Sequence, residues 1–323
     1  MNRFRTTTFA IAIAALLLPA AARSQAPPAA KAASPPAPEA IPPYETAQID
    51  PLAWAGRFGG TNCAWFDMGD GVLLVDTGAS AEDAKNLLAA AKKALPDKPV
   101  RWVVMTHLHP DSNNGFSALL PTEATLIVNQ RALELVAALA RAPKGKTPTV
   151  LGVTDRLVLV GKSQTVEIFA TPSPAHTEYD LWIWVPGSRV AYVGDLVTPT
   201  RCPMASDSGA DPKEWIATLD RIAALHPAAI VATRGPFTMT GLDELSLTRT
   251  YLTRLLEILG QMKAKGVAEA RVSGEMALRK VGDYCPVELD TINALALFRR
   301  MTPEGTFPPV KPALPKPPAP KKK

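Results

Sequence analysis

The stretch Met105-Thr106-His107-Leu108-His109-Pro110-Asp111-Ser112-Asn113-Asn114-Gly115 constrains this chain more than any other. It places two of the four histidines one residue apart, with an aspartate two residues further on. The apolar run Val100-Arg101-Trp102-Val103-Val104-Met105 leads into it, with the β-branched content of a buried strand. At the end of a strand, a His-x-His pair directs both imidazoles to one side of the following loop, which is a natural start for a metal site. The pair alone is moderately specific, because surface histidines also fall at this spacing. A metal there needs at least one more nitrogen, sulfur or oxygen ligand from elsewhere in the chain.

Two later segments offer such ligands. His176 lies in Pro172-Ser173-Pro174-Ala175-His176-Thr177-Glu178, a loop directly after a strand, 67 residues beyond His109. Asp195 lies in Val193-Gly194-Asp195, at the end of a hairpin strand, 19 residues beyond His176. Loops at strand ends are where sites are built. Around these points strand and helix signals alternate. Cys63–Phe66 and Val72–Val75 flank a Gly-containing turn, as in a hairpin. Ser80 with Asp83 reads as a helix N-cap before the amphipathic run Ala84–Leu95, which Pro96 stops. Strands are expected at Leu126–Val128, Leu157–Val160, Val166–Phe169 and Ile230–Ala232, and a second hairpin joins Trp182–Val185 to Arg189–Val193 through Pro186-Gly187. Helices are expected at Gln130–Arg141, 212–225, 243–264 and 286–300. Runs of strands separated by single helices predict an α/β fold, a layered sandwich of two sheets with helices outside. The sequence shows no internal repeat and no Gly-rich phosphate loop.

The ends differ in character from the body. Arg3 and Arg5 precede the apolar run Phe9–Leu18, and Pro19-Ala20-Ala21-Ala22 supplies small residues for cleavage. The run is too short to span a bilayer, so residues 1–23 read as a secretory signal peptide and the expected location is periplasmic or secreted, without stable membrane insertion. Residues 24–43 form a Pro/Ala-rich linker, and 302–323 a Pro/Lys-rich disordered tail, leaving a domain at 44–301. These ends also explain the net charge of +5: they hold nine basic and two acidic residues, which leaves 26 basic against 28 acidic in the body. A slightly acidic body argues against a nucleic-acid partner. Cys63, Cys202 and Cys285 make an odd count; one disulfide and one free thiol fit an oxidising compartment, but no spacing selects the pair.

In the order Asp76-Thr77-Gly78, Thr106-His107-Leu108-His109-Pro110-Asp111, Ala175-His176-Thr177 and Gly194-Asp195, residues 50–240 resemble the metallo-β-lactamase fold superfamily. The resemblance implies an αββα sandwich of two mixed β-sheets with helices on the outer faces. It also implies zinc. His107, His109 and His176 match the three ligands of the family's first zinc site. Asp111 matches a ligand of the second, and Asp195 the acid that bridges both. Two positions depart: Ser112 and Arg234 stand where the family has the second-site histidine and the last histidine. Serine ligates weakly and a guanidinium not at all. The expectation is therefore a centre with one zinc per chain on His107, His109, His176 and Asp195, beside an incomplete second site at Ser112 and Arg234. Arg234 is expected to fill the vacated space and pair with Asp111, Asp195 or both, as a second-site cation that also offers a bidentate contact to a substrate carboxylate or sulfate. The alternative is that it points to solvent.

Asp111 and Asp195 are the catalytic candidates, Asp111 as the base or water-orienting group. Asp76 is read as a loop-holding acid, His226 as structural or exposed, and Trp65, Trp182 and Trp184 as core. The function implied is an exported zinc-dependent hydrolase of a small ester, lactam, thioester or related molecule. The alternative is a degenerate, non-hydrolytic member that binds metal or ligand and assists an exported redox enzyme, which would then be its protein partner.

Overall fold

Strands buried on both faces need a layer above and a layer below, and the strands at 61–67, 72–75, 181–185 and 190–192 are of this kind. The computed structural model describes residues 44–119, 123–140, 147–199, 201–240, 242–282 and 284–308. The signal segment 1–23, the linker 24–43 and the tail from residue 309 onward lie outside the described residues. Seven strands form the first sheet in chain order: β1 (Tyr44–Asp50), β2 (Ala53–Phe58), β3 (Thr61–Asp67), β4 (Val72–Val75), β5 (Val100–Val104), β6 (Thr125–Asn129) and β7 (Val150–Val153). The first four pair antiparallel and the last four parallel, so the sheet is mixed. The second sheet holds β8 (Arg156–Val160), β9 (Thr165–Ala170), β10 (Leu181–Val185), β11 (Val190–Tyr192), β12 (Ala229–Val231) and β13 (Met239–Thr240) in reverse order. Only β11 and β12 run parallel in it.

The helices are α1 (Ala81–Ala94), α2 (Pro110–Asn113), α3 (Leu133–Leu139), α4 (Pro212–Ala224), α5 (Asp243–Ala264), α6 (Val272–Ala277) and α7 (Val287–Arg300). Side-chain alternation assigns each strand residue to a layer. In β10, Leu181, Ile183 and Val185 enter the core between the sheets, while Trp182 and Trp184 face the core formed with α4, α5 and α7. In β3, Ala64 and Phe66 enter the central core, while Cys63 and Trp65 pack with Leu87 of α1 and Val136 of α3. Phe66 meets Tyr192 edge-on across the sheets at 4.7 Å. The result is the αββα sandwich, with the three tryptophans read as core all buried.

Ser80 Oγ accepts from Asp83 N at 3.2 Å, so α1 begins where the cap signal stands. Gln130–Arg141 divides into a 3₁₀ turn, Gln130–Ala132, and α3. The sequence reading passed over β1, β2, β7, β13, α2 and α6. β1 is an edge strand with few apolar residues, β2 contains glycine and no β-branched residue, and β7 is only four residues long with a glycine inside it; pairing with neighbours decides them. Residues 302–308, grouped with the tail by composition, fold back: Thr302 and Thr306 hydrogen-bond each other, and Phe307 packs against the helical core.

Cys202 and Cys285 form the disulfide, with Cα atoms 5.0 Å apart and a sequence separation of 83, and Cys63 is a buried free thiol. Closing so long a loop limits the unfolded chain. Replacing both Cys202 and Cys285 by serine is expected to cost about 2–5 kcal/mol of unfolding free energy, read from urea denaturation. A double variant as stable as the parent would show that the bridge does not constrain the fold.

Candidate metal centre

The loops after β5, β9 and β11 bring His107, His109, His176 and Asp195 together. One ligand atom from each lies within 4.8 Å of all the others. His107 follows β5 through Thr106, whose backbone N–H and Oγ1–H donate to Asp76 at 2.8 Å each. Because that hydroxyl gives its proton to Asp76, it accepts from His107 Nδ1, 3.0 Å away. The proton so placed on Nδ1 leaves the Nε2 lone pair facing inward, an assignment made from the network. Asp76 also accepts from Asn113 Nδ2 at 2.7 Å, and it sits at φ 60°, a left-handed backbone conformation that aspartate tolerates when locally bonded. Burial pushes its carboxyl up to about 7.

His109 is fixed from the other side. Its Nε2 lies 2.9 Å from Asp207 Oδ2, and its Nδ1 faces His176 Nε2 at 3.3 Å. The His176 ring packs against Trp215 of α4 at 5.0 Å, and Trp215 Nε1 donates to Leu196 O at 2.8 Å, one residue from Asp195. Arg131 donates to the carbonyls of Thr171 and Glu178, and Thr177 N donates to Asp180, so the loop bearing His176 is tied at both ends. Asp195 Oδ2 lies 3.8 Å from both His107 Nε2 and His176 Nε2. Its neighbour Gly194 has φ 57°, and a Cβ there would come 2.8 Å from Thr106 Oγ1, so only glycine lets the two site loops approach this closely.

A tetrahedral ion with bonds of about 2.0–2.1 Å to nitrogen separates its ligands by roughly 3.3–3.5 Å. The 3.3 and 3.8 Å spacings fit that, and the buried His107 Nε2 and Asp195 Oδ1 have no hydrogen-bond partner among the described residues. The site residues therefore fit a metal ion. Burial drives His107 down to about 4 and His176 down to about 3, which keeps both in the neutral, ligating form. Burial acts the same way on His109, but the hydrogen bond and charge of Asp207 outweigh it and raise its pKa. Asp195 is lowered: burial opposes this, and the His107 and His176 imidazoles and Arg234 overcome it.

The second half of the expected site is built differently. Arg234 Nη2 donates to Asp111 Oδ2 and Nη1 to Gly60 O at 2.8 Å, with the guanidinium largely buried. Its partner is Asp111 and not Asp195, and it does not point to solvent. The loop carrying it is held by Asn62, which donates to Ala232 O and Gly235 O, and by Arg57, which donates to Gly235 O. Asp111 stands outside the four-residue cluster, with its carboxylate engaged by Arg234. Ser112 is buried and its Oγ has no hydrogen-bond partner among the described residues. His226 is exposed after α4, with its carbonyl accepting from Arg189. Sequence reasoning missed Asp207, Thr106, Asn113 and Trp215. Thr106 and Asn113 flank the His-x-His pair and were legible as polar neighbours, whereas Asp207 lies 98 residues from His109 with no spacing that marks it.

Because His107 and His176 stay neutral well below pH 6 while His109 holds its proton there, metal uptake at pH 6 is expected to release about one proton, where three ordinary imidazoles would release roughly two. Calorimetry in buffers of different ionisation enthalpy measures this number. A release of two or more would show that burial does not keep His107 and His176 neutral.

Comparison with known proteins gives three further findings. The family model described as metallo-beta-lactamase superfamily matches residues 56–234, over half of the 323 residues. A linear primary-alkylsulfatase of Pseudomonas sp. is 41% identical over 54 residues, which is 17% of this chain and 10% of that protein. The alpha subunit of a 2,4-dinitroanisole O-demethylase of Nocardioides sp. is 27% identical over 128 residues, 39% of this chain and 38% of that protein. The chain thus spans well under half the length of either relative. Among solved structures, a metallo-beta-lactamase from Pontibacter korlensis superposes with a TM-score of 0.53 at 24% identity, covering 65% of this chain and 99% of that one, a likeness of fold.

Proposed function

The chain belongs to the metallo-beta-lactamase superfamily, and from that premise we propose that it is a zinc-dependent hydrolase with one metal per chain. The observation that carries this reading is the convergence of His107, His109, His176 and Asp195 on one point, with buried ligand atoms left without hydrogen bonds. His107, His109 and His176 would hold the ion. Bound zinc supplies a water acidic near pH 7 and a Lewis acid for the oxygen of the scissile group. Asp195 is the chain's own proton acceptor there: it is ionised, Oδ2 faces two of the histidines, and Oδ1 has no hydrogen-bond partner among the described residues. Arg234 and Asp111 form an ion pair, which supports a single metal because a guanidinium standing where a second-site histidine would be cannot ligate.

The substrate class proposed is a small ester, lactam, thioester or related molecule; the likeness to an alkylsulfatase adds sulfate esters to the set to be screened. We further propose export to the periplasm or medium. The order of basic, apolar and small residues in 1–23 supports it, as does the disulfide Cys202–Cys285. Among the described residues no helix is long and apolar enough to cross a membrane. The Arg234–Asp111 pair favours one second reading, a non-hydrolytic metal- or ligand-binding protein that assists an exported redox enzyme. A broad ester, lactam and sulfate-ester screen on zinc-loaded protein separates the two: turnover lost in His109→Ala supports the hydrolase, and no turnover on a metal-replete protein supports the second.

Elemental analysis is expected to find close to one zinc per chain, and His109→Ala to lose it, since two remaining imidazoles hold zinc poorly against water. The double change Ser112→His with Arg234→His restores nitrogen donors and is expected to raise the content toward two per chain. Equal zinc stoichiometry and affinity in parent and double variant would contradict the role given to Arg234.

A further inference from the structure

The family match ends at residue 234, yet the loop that carries Asp207 is held in large part by residues that come later. Asn293 Nδ2 of α7 donates to Pro203 O at 2.8 Å. Arg300 Nη1, at the end of α7, donates to Ala210 O at 2.7 Å and to Asp207 O at 3.2 Å. Cys285, just before α7, is bonded to Cys202. Within the loop, Gly209 N donates to Asp207 Oδ1 at 2.7 Å, which turns Oδ2 toward His109 Nε2. Gly209 also lets the loop close on the segment after His176, because a Cβ there would meet Glu178 Cγ at 2.5 Å. On its other side the loop is tied by Asp211 N donating to Ala175 O at 2.8 Å. Arg300 itself is steadied by the Phe307 ring, 5.7 Å from its guanidinium carbon.

We infer that Arg300 is a positioning residue for the metal centre. By fixing the carbonyls of Asp207 and Ala210, it sets the Asp207 carboxylate against His109 Nε2, and through that bond points His109 Nδ1 at the metal position. Residues that orient a ligating imidazole through its second nitrogen tune metal affinity strongly. The inference rests on the metal centre proposed above. It gives the C-terminal helix, outside the family-matched residues, a part in positioning that centre.

A double-mutant cycle tests it, with zinc affinity read by chelator competition and the absorption spectrum of the cobalt(II)-loaded protein as second readout. Asp207→Ala is expected to weaken zinc about 10–100-fold, and Arg300→Ala several-fold to about tenfold, both with altered cobalt spectra. Because Arg300 acts through Asp207, the double variant should bind no more weakly than Asp207→Ala alone. Arg300→Lys, which keeps an N–H donor, should recover most of the loss, and Arg300→Gln supplies the cycle if the alanine variant does not fold. Unchanged affinity in Arg300→Ala, or a weakening that multiplies with that of Asp207→Ala, overturns the inference while leaving the centre intact. A parent protein that takes up no zinc or cobalt overturns both.

Discussion

Three imidazoles and a carboxylate gathered around one point, with His107 and His176 fully buried, are a liability unless something positive lies between them. Each buried lone pair left without a donor forfeits a hydrogen bond it had in water, at a cost of about 1–3 kcal/mol. His107 and His176 are both held neutral by burial, and His109 Nδ1 and His176 Nε2 face each other at 3.3 Å. Around this point the protein spends much of its polar structure. Asp76 and Thr106 fix His107, Asp207 fixes His109, and Trp215 backs His176 while bonding the segment of Asp195. Such a shell makes physical sense when it orients lone pairs toward a cation. The sandwich serves it by ending β5, β9 and β11, from two sheets, at one edge.

Beside that point the chain departs from its family's usual pair of sites, and it does so with a charge. The largely buried guanidinium of Arg234, standing where the family places a histidine that would help hold a second ion, finds its partner in the half-exposed carboxylate of Asp111. The guanidinium is permanently charged, so the neutralisation it gives does not depend on metal supply or on pH near neutrality. Asn62 and Arg57 hold the loop that delivers it, which makes the substitution part of a built arrangement. Asp195, which remains with the histidines, becomes the acid on which chemistry at the centre would turn.

Much of this was legible in the sequence, for a definite reason. Ligands at strand ends follow apolar runs, so His107, His109, His176 and Asp195 could each be placed on a loop by its neighbours, and the doubly buried strands announced a layered fold. The pairing of Arg234 with an acid was expected from its place in the family pattern together with its charge, but the choice of Asp111 over Asp195 depends on how the 232–235 loop is tied, which no local pattern records. Asp207 was invisible because its part comes from the packing of a loop against α7. The disulfide was open among three cysteines for the same reason. The weak strands β1, β2 and β7 form because a neighbouring strand offers hydrogen bonds.

The most direct test of a single-metal centre is a crystal structure of zinc-soaked protein with anomalous data at the zinc edge. One peak bounded by His107 Nε2, His109 Nδ1, His176 Nε2 and Asp195, with Arg234 still on Asp111, is the expected result. A second peak between Asp111 and Asp195, with the guanidinium displaced, would contradict it.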